Sequence, residues 1–232
     1  MTLLFLIPIT SVSQSVKTYI PERAFQYLPI VYSEAERLMP DMPYPYYFGS
    51  LIEHESCISL KHSRCWSPTS RLKTSREEGA GLIQITRAYN SNGTLRFDTL
   101  SELRRSHIQE LRDLSWGNVY QRPDLQIRAG ILLTKRNHKA LHMVKDPWER
   151  LAMTDSAYNG GLGHVNKDRR LCGLKANCDP QKWFSNVELH SVKSRKPLYA
   201  GRSAYTINRQ HVHDTLYIRM PKYQKHYKEN LM

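Results

Sequence analysis

Along this chain the apolar positions recur at helical spacing and almost never alternate. Between Pro21 and Met39, the residues Ala24, Leu28, Val31, Ala35 and Leu38 mark one apolar face, and Pro29 marks a point where a helix breaks or restarts. The stretch PDMPYPYY (Pro40 to Tyr47) reads as a linker into a second helix. There Tyr47, Leu51 and Glu55 fall four residues apart with Phe48 and Ile52 beside them, so the apolar stripe runs directly into Glu55. A polar loop follows and ends at Gly79-Ala80-Gly81. LIQIT opens a short apolar element and NSNGT marks a turn. Residues 100–114 pattern as a polar amphipathic helix. Asp124 to Met143 patterns as a long core helix, with Ile127, Ile131 and Leu132 inward and Lys135, Arg136 and Lys139 outward. In DPWERLAMTDSAYNGGLG, Asp146 is placed as an N-cap, Pro147 takes the first helical position and Gly160-Gly161 stops the helix. The pattern predicts a mainly α fold with at most a small β-hairpin.

Two glutamates on the second helix raise the question of chemistry. Glu53 lies two residues from Glu55 and so on roughly the opposite face. Glu53 is expected to be a solvated partner of nearby basic groups, with Glu53→Gln nearly neutral. Glu55, at the end of an apolar stripe, is expected to be partly desolvated. Desolvation disfavours the charged carboxylate and suits it to act as a general acid.

The 232 residues suffice for one sizeable core, or one core plus an appendage. A net charge of +13 points to a polyanionic partner: nucleic acid, an acidic membrane surface or an anionic wall polymer. The charge gathers late. Residues 190–232 carry nine Lys and Arg against Asp214 and Glu229, a surplus of seven, interspersed with five tyrosines. This end reads either as a polymer-binding face or as a basic helix packed on the main domain. His211 and His213 make a pair without further ligands, too few for a metal site. Cys57 with Cys65 and Cys172 with Cys178 read as two local disulfides formed in an oxidising compartment. The apolar segment MTLLFLIPIT is too short to span a bilayer and has no Lys or Arg before its apolar run, so it reads as a tail more readily than as a signal peptide.

Three short motifs fall in order along the chain. Glu55-Ser56 closes the second helix. Gly81-Leu82-Ile83-Gln84 follows some two dozen residues on, and Ala157-Tyr158-Asn159 ends a later helix. This order resembles the lysozyme-like lytic transglycosylases of the soluble-transglycosylase type, related to goose-type lysozyme. Their signature is a catalytic Glu followed by Ser, then Gly-Leu-Met-Gln, then Ala-Tyr-Asn. Ile83 replaces the usual Met with little change of volume. The stretch RPDLQIRAGILLT is also similar to the family's intervening helix, in which a glycine such as Gly130 allows a close contact. The resemblance covers roughly residues 43–170.

The resemblance implies a lysozyme-like catalytic domain over residues 43–184. An N-terminal segment and helix (1–42) would precede it, and a basic C-terminal extension (185–232) would follow. It implies that Glu55 donates a proton to the leaving oxygen between MurNAc and GlcNAc. The sugar's own 6-hydroxyl would then close a 1,6-anhydro end, with no second carboxylate required. Tyr158 would orient Glu55, Ser56 would help orient Glu55 or its local backbone, and Gln84 and Asn159 would hold an N-acetyl amide. Gly79 and Gly81 would let the backbone approach a sugar.

Glu77 and Glu78, just before the glycines, keep a lysozyme-type hydrolase of the same fold as the rival. A noncatalytic binder of cell wall or nucleic acid is the rival from another class, and the intact Glu55 with its three motifs argues against it. The expected partners are peptidoglycan glycan strands, together with anionic envelope polymers held by the basic extension. No specific nucleic acid, metal or cofactor is expected. Such an enzyme would work in the cell envelope, periplasm or outside the cell, as a bacteriophage lysis or virion protein or a bacterial envelope enzyme.

Overall fold

The computed structural model describes residues 17–231, and the apolar N-terminal segment lies outside them. A 3-10 turn at Glu22–Gln26 leads into α1 (Leu28–Leu38), which restarts with Pro29 in its first turn, where a missing N–H costs no helical bond. The five apolar residues read as one face are all buried there. Next comes α2 (Tyr47–Ser56).

Four short strands, β1 (Arg71–Lys73), β2 (Glu77–Ala80), β3 (Ile85–Tyr89) and β4 (Leu95–Asp98), form an antiparallel sheet in chain order. This corrects the expectation of at most a hairpin. The strands run three to five residues, and β1 is exposed along its whole length, so no alternating apolar face marks them in the sequence. The helix expected over 100–114 divides into α3 (Thr99–Ser106), capped by the Asp98 side chain, and α4 (Ile108–Leu111). Three longer helices follow: α5 (Pro123–Ala140), α6 (Pro147–Gly160) and α7 (Leu162–Gly173). Asp146 caps α6 by accepting from the backbone N–H of Trp148 and Glu149, and Gly161 ends the helix at φ 85°.

A two-stranded ribbon, β5 (Pro197–Tyr199) with β6 (Arg202–Ser203), precedes α8 (Ala204–His213). One π-helical turn (Asp214–Arg219) joins α8 to α9 (Met220–Leu231). The molecule is thus mainly helical with a small antiparallel sheet. Among the described residues no helix is long and apolar enough to cross a membrane.

The segment expected as a basic extension belongs to the core. Val212, Leu216, Met220 and Tyr223 are buried in it, and α2 packs against the π-helical turn and α9. Burying side chains of this size contributes roughly 1.5–3 kcal/mol each, more than a surface appendage would yield. The approach is close. A Cβ on Gly49 of α2 would lie 2.5 Å from Cδ1 of Tyr223. On the other side α6 packs against α5, α7 and α8. The ion pair of Arg209 with the buried Asp168 (2.8 Å) locks α8 to α7. Both expected disulfides form, Cys57 with Cys65 and Cys172 with Cys178. The first pins the chain directly after α2. Two disulfides are compatible with an extracellular or secreted protein.

Candidate active site

A cleft of about 1090 Å³ runs between the end of α2, the sheet, the C-terminal end of α6 and the β6 ribbon. Small-molecule sites usually occupy roughly 300–1,000 Å³, so this cleft has room for more than one sugar ring. Glu55, Ser56, Glu77, Gly79, Gln84, Tyr158 and Asn159 all line it. Residues from three separate motifs therefore share one space. Arg76, Arg96, Arg136, Lys193 and Arg202 line it as well, against the carboxylates Glu55, Glu77 and Glu102, so the cleft suits an anionic ligand.

The apolar stripe of α2 does lead to Glu55, but its carboxyl meets a histidine instead of an apolar pocket. Nε2 of His211 lies 2.7 Å from Oε1 of Glu55, and Nδ1 of the same ring lies 2.7 Å from Oδ2 of Asp155. Tyr47 donates its hydroxyl to the other Asp155 oxygen at 2.8 Å. Helices α2, α6 and α8 thus close a hydrogen-bonded chain from Tyr47 through Asp155 and His211 to Glu55. Burial works against a charge on His211, yet the Asp155 and Glu55 carboxylates outweigh it and raise its pKa to about 10. Burial and the Asp155 carboxylate keep the Tyr47 phenol protonated. The His54 ring packs 4.2 Å from His211 and is held neutral by its own burial and then by the charge on its neighbour.

Tyr158 was expected to donate to Glu55. It donates instead to the carbonyl of Ile83, at 2.8 Å. The reason is the close approach of the Gly81–Gln84 turn: Gly130 has no side chain, and a Cβ there would lie 2.7 Å from Cγ2 of Ile83. The third motif therefore fastens the second. Burial, then the charges of Glu55 and Asp155, keep the Tyr158 hydroxyl protonated and a donor.

Of the two contacts expected of Ser56, with Glu55 or with its local backbone, the structure shows the backbone one. The Ser56 Oγ donates to the Ile52 carbonyl and accepts from the Trp66 N–H, tying the end of α2 to the disulfide loop. Gly81, expected to bind substrate, is buried behind the cleft. Its φ of 78° suits glycine, and a Cβ would collide with Oε1 of Gln126, which accepts the Leu82 N–H.

The two amides are half engaged. Gln84 donates through Nε2 to the carbonyls of Gly81 (2.8 Å) and Ser70 (3.3 Å), which leaves its oxygen for a ligand. Asn159 accepts on Oδ1 from Asn208 (3.0 Å), which leaves its amide hydrogens. One acceptor and one donor on the same cleft complement the N–H and C=O of an N-acetyl group.

Glu78 is excluded as a second catalytic carboxylate. Burial opposes its charge, but Arg87 and Arg71 each bind one of its oxygens through two nitrogens and hold its pKa below the ordinary range. Glu77, in contrast, lines the cleft.

Glu53 is fully buried, which corrects its reading as a solvated residue. Arg219 (2.7 Å), Lys222 (2.8 Å) and the Tyr223 hydroxyl (2.6 Å) converge on its carboxylate. Two of the three partners are basic, as expected, but all lie in the C-terminal elements that cover this face of α2.

Sequence reasoning did not assign His211, Asp155 or His54 to the site. A signal for His211 exists. Val212, Leu216 and Met220 recur every four residues within the basic tail, marking a buried face that Asn208, His211 and Thr215 border. Comparison of the chain with protein-family models, with curated proteins and with solved structures finds no match.

Proposed function

We propose that the protein is a peptidoglycan lytic transglycosylase that cleaves the MurNAc–GlcNAc β-1,4 bond and leaves 1,6-anhydro-MurNAc ends. The single observation that carries this reading is the convergence of Glu55, Gln84 and Asn159, from three motifs far apart in sequence, on one cationic cleft. Cleavage needs a proton on the leaving oxygen. That proton is present in the Glu55–His211 pair, whichever of the two atoms carries it. The spare oxygen of Gln84 and the spare amide hydrogens of Asn159 supply what a sugar's N-acetyl group requires. The basic lining of the cleft suits a glycan that carries peptide carboxylates. With the acetamide held and the 6-hydroxyl of the same sugar directed at the anomeric carbon, Glu55 gives its proton and takes the hydroxyl's proton back. Two disulfides favour work outside the cytoplasm, in the cell envelope or as a phage-encoded lysis or virion protein.

A second reading, a hydrolase of the same fold, is favoured by Glu77, a carboxylate on the cleft wall that could direct a water. Mass spectrometry of peptidoglycan digested by the purified protein tests the proposal. Anhydro-muramyl ends are expected from the wild type, with none from Glu55→Gln. Reducing MurNAc ends alone would assign the hydrolase, and intact walls would remove both enzymatic readings.

A further inference from the structure

We propose that His211, backed by Asp155, is a positioning residue that holds the Glu55 carboxyl toward the cleft and keeps the reacting proton on the bond between Nε2 and Oε1. This rests on the glycosidic reading of the site. The geometry behind it is specific. His211 is buried, and each ring nitrogen lies 2.7 Å from a carboxylate oxygen, one on α2 and one on α6. Asp155 is itself buried, and its remaining oxygen is occupied by the Tyr47 hydroxyl. Its charge is therefore directed at the ring. A carboxylate on Nδ1 fixes the ring's orientation, accepts from Nδ1–H and makes Nε2, the atom that faces Glu55, more basic, which favours a second proton there.

The step balances. Nε2 gives the shared proton to Oε1 of Glu55, Oε1 passes it to the glycosidic oxygen, and the C1–O bond breaks with its electron pair on that oxygen. The 6-hydroxyl oxygen of the same sugar bonds to C1, and its proton returns to the Glu55–His211 pair. No net proton is taken up, and the pair is ready again.

The other groups around the ring do not supply that proton. His54, on α2, is held neutral, and Arg219 from the π-helical turn and Arg202 from β6 add positive charge beside it. Tyr47 on α2 and Tyr158 on α6 keep their protons, and Tyr158 gives its own hydrogen bond to Ile83.

The test has two arms. The first needs no catalysis: 15N NMR of the histidine side chains in Asp155→Asn and, because that buried variant can fail to fold, in Tyr47→Phe. In the wild type the His211 ring is expected to carry protons on both nitrogens at pH 8. In Asp155→Asn it should become neutral. In Tyr47→Phe, which strips a donor from Asp155 and strengthens its hold, the ring should keep its second proton to higher pH than in the wild type. A neutral His211 ring in the wild type at pH 8, or identical titrations in the wild type and whichever variant folds, would overturn the inference.

The second arm is the pH profile of wall cleavage. His211→Gln is expected to lower kcat on the order of tenfold or more with little change in KM, and to move the alkaline limb to lower pH. An equal loss at every pH with an unmoved limb would assign His211 to the fold alone and overturn the inference. Wild-type protein that leaves walls intact would remove the glycosidic reading, while the NMR arm would still place the proton.

Discussion

Two glutamates on α2, separated by one residue, meet opposite fates. Glu53 is fully buried, and three donors from the C-terminal helices meet its carboxylate. Glu55 sits at the cleft with its side chain 15% exposed and a hydrogen bond from one partner, His211. A carboxylate whose lone pairs are consumed by two cations and a phenol has no capacity left for a ligand. A carboxylate held through one oxygen on the wall of a cleft is oriented and still able to react. Three consecutive C-terminal elements make the difference: α8 contributes His211, the π-helical turn Arg219, and α9 Lys222 and Tyr223.

The sharpest way to break this comparison is to replace both residues by the same isostere. Glu55→Gln should keep the fold, because Asp155 still pairs with His211, and should lower wall cleavage by roughly 10²–10⁴-fold, the range expected of a lost general acid. Glu53→Gln should do the reverse. Removing the negative member of a buried ion-pair cluster deprives Arg219 and Lys222 of their counter-charge and costs about 3–5 kcal/mol, read by thermal or denaturant unfolding. This replaces the nearly neutral outcome that the sequence alone suggested for Glu53→Gln. A Glu53→Gln protein as stable as the wild type would show that the cluster contributes little.

A smaller effect separates the sites by pH. The folded-state pKa of His211 is raised from 6.5 to about 10, so its contribution to stability is complete below about pH 6.5 and is lost as pH rises through about 10. Unfolding measured across that window should show a loss on the order of a few kcal/mol in the wild type. The loss should be absent in His211→Gln. A wild-type stability that is flat from pH 6.5 to 10 would contradict the charge assigned to the ring.

Legibility in the sequence followed the range of the interactions. The N-cap at Asp146, the helix restart at Pro29 and the stripe leading to Glu55 rest on neighbours within a few residues, so pattern alone reveals them. The Glu55–His211 contact joins residues 156 apart, and Glu53 meets Lys222 across 169. Nothing local to either residue encodes such a pairing. The charge of the tail also concealed its burial. Lys222 is among the basic residues that suggested a solvated surface, and it is buried against Glu53. The sheet was hidden for a different reason. Its strands are short, and the polar pairs that stabilise it, such as Glu78 with Arg71 and Arg87, give no apolar alternation to read.

The smallest expected effect concerns the residues of the tail that do remain exposed. Arg195, Lys196, Lys225 and Lys228 lie on the surface, while Lys193 points its ammonium at the Gly160 carbonyl and Lys222 is buried. Replacing Arg195, Lys196, Lys225 and Lys228 by Gln, and leaving the exposed Arg202 of the cleft in place, should weaken sedimentation with cell walls at low salt by a few-fold. Cleavage of a short soluble glycan should not change. Raising the salt should erase the difference, because the attraction is screened over ~8 Å at physiological ionic strength. Equal losses on soluble and insoluble substrates would assign these side chains to the fold instead of to wall binding.

Digestion of purified peptidoglycan in H₂¹⁸O tests the central claim most directly. If Glu55 returns its proton cycle through the sugar's own 6-hydroxyl, the released muropeptides carry anhydro ends and no ¹⁸O. If a water directed by Glu77 attacks instead, every new reducing end carries one ¹⁸O, and the transglycosylase account is contradicted.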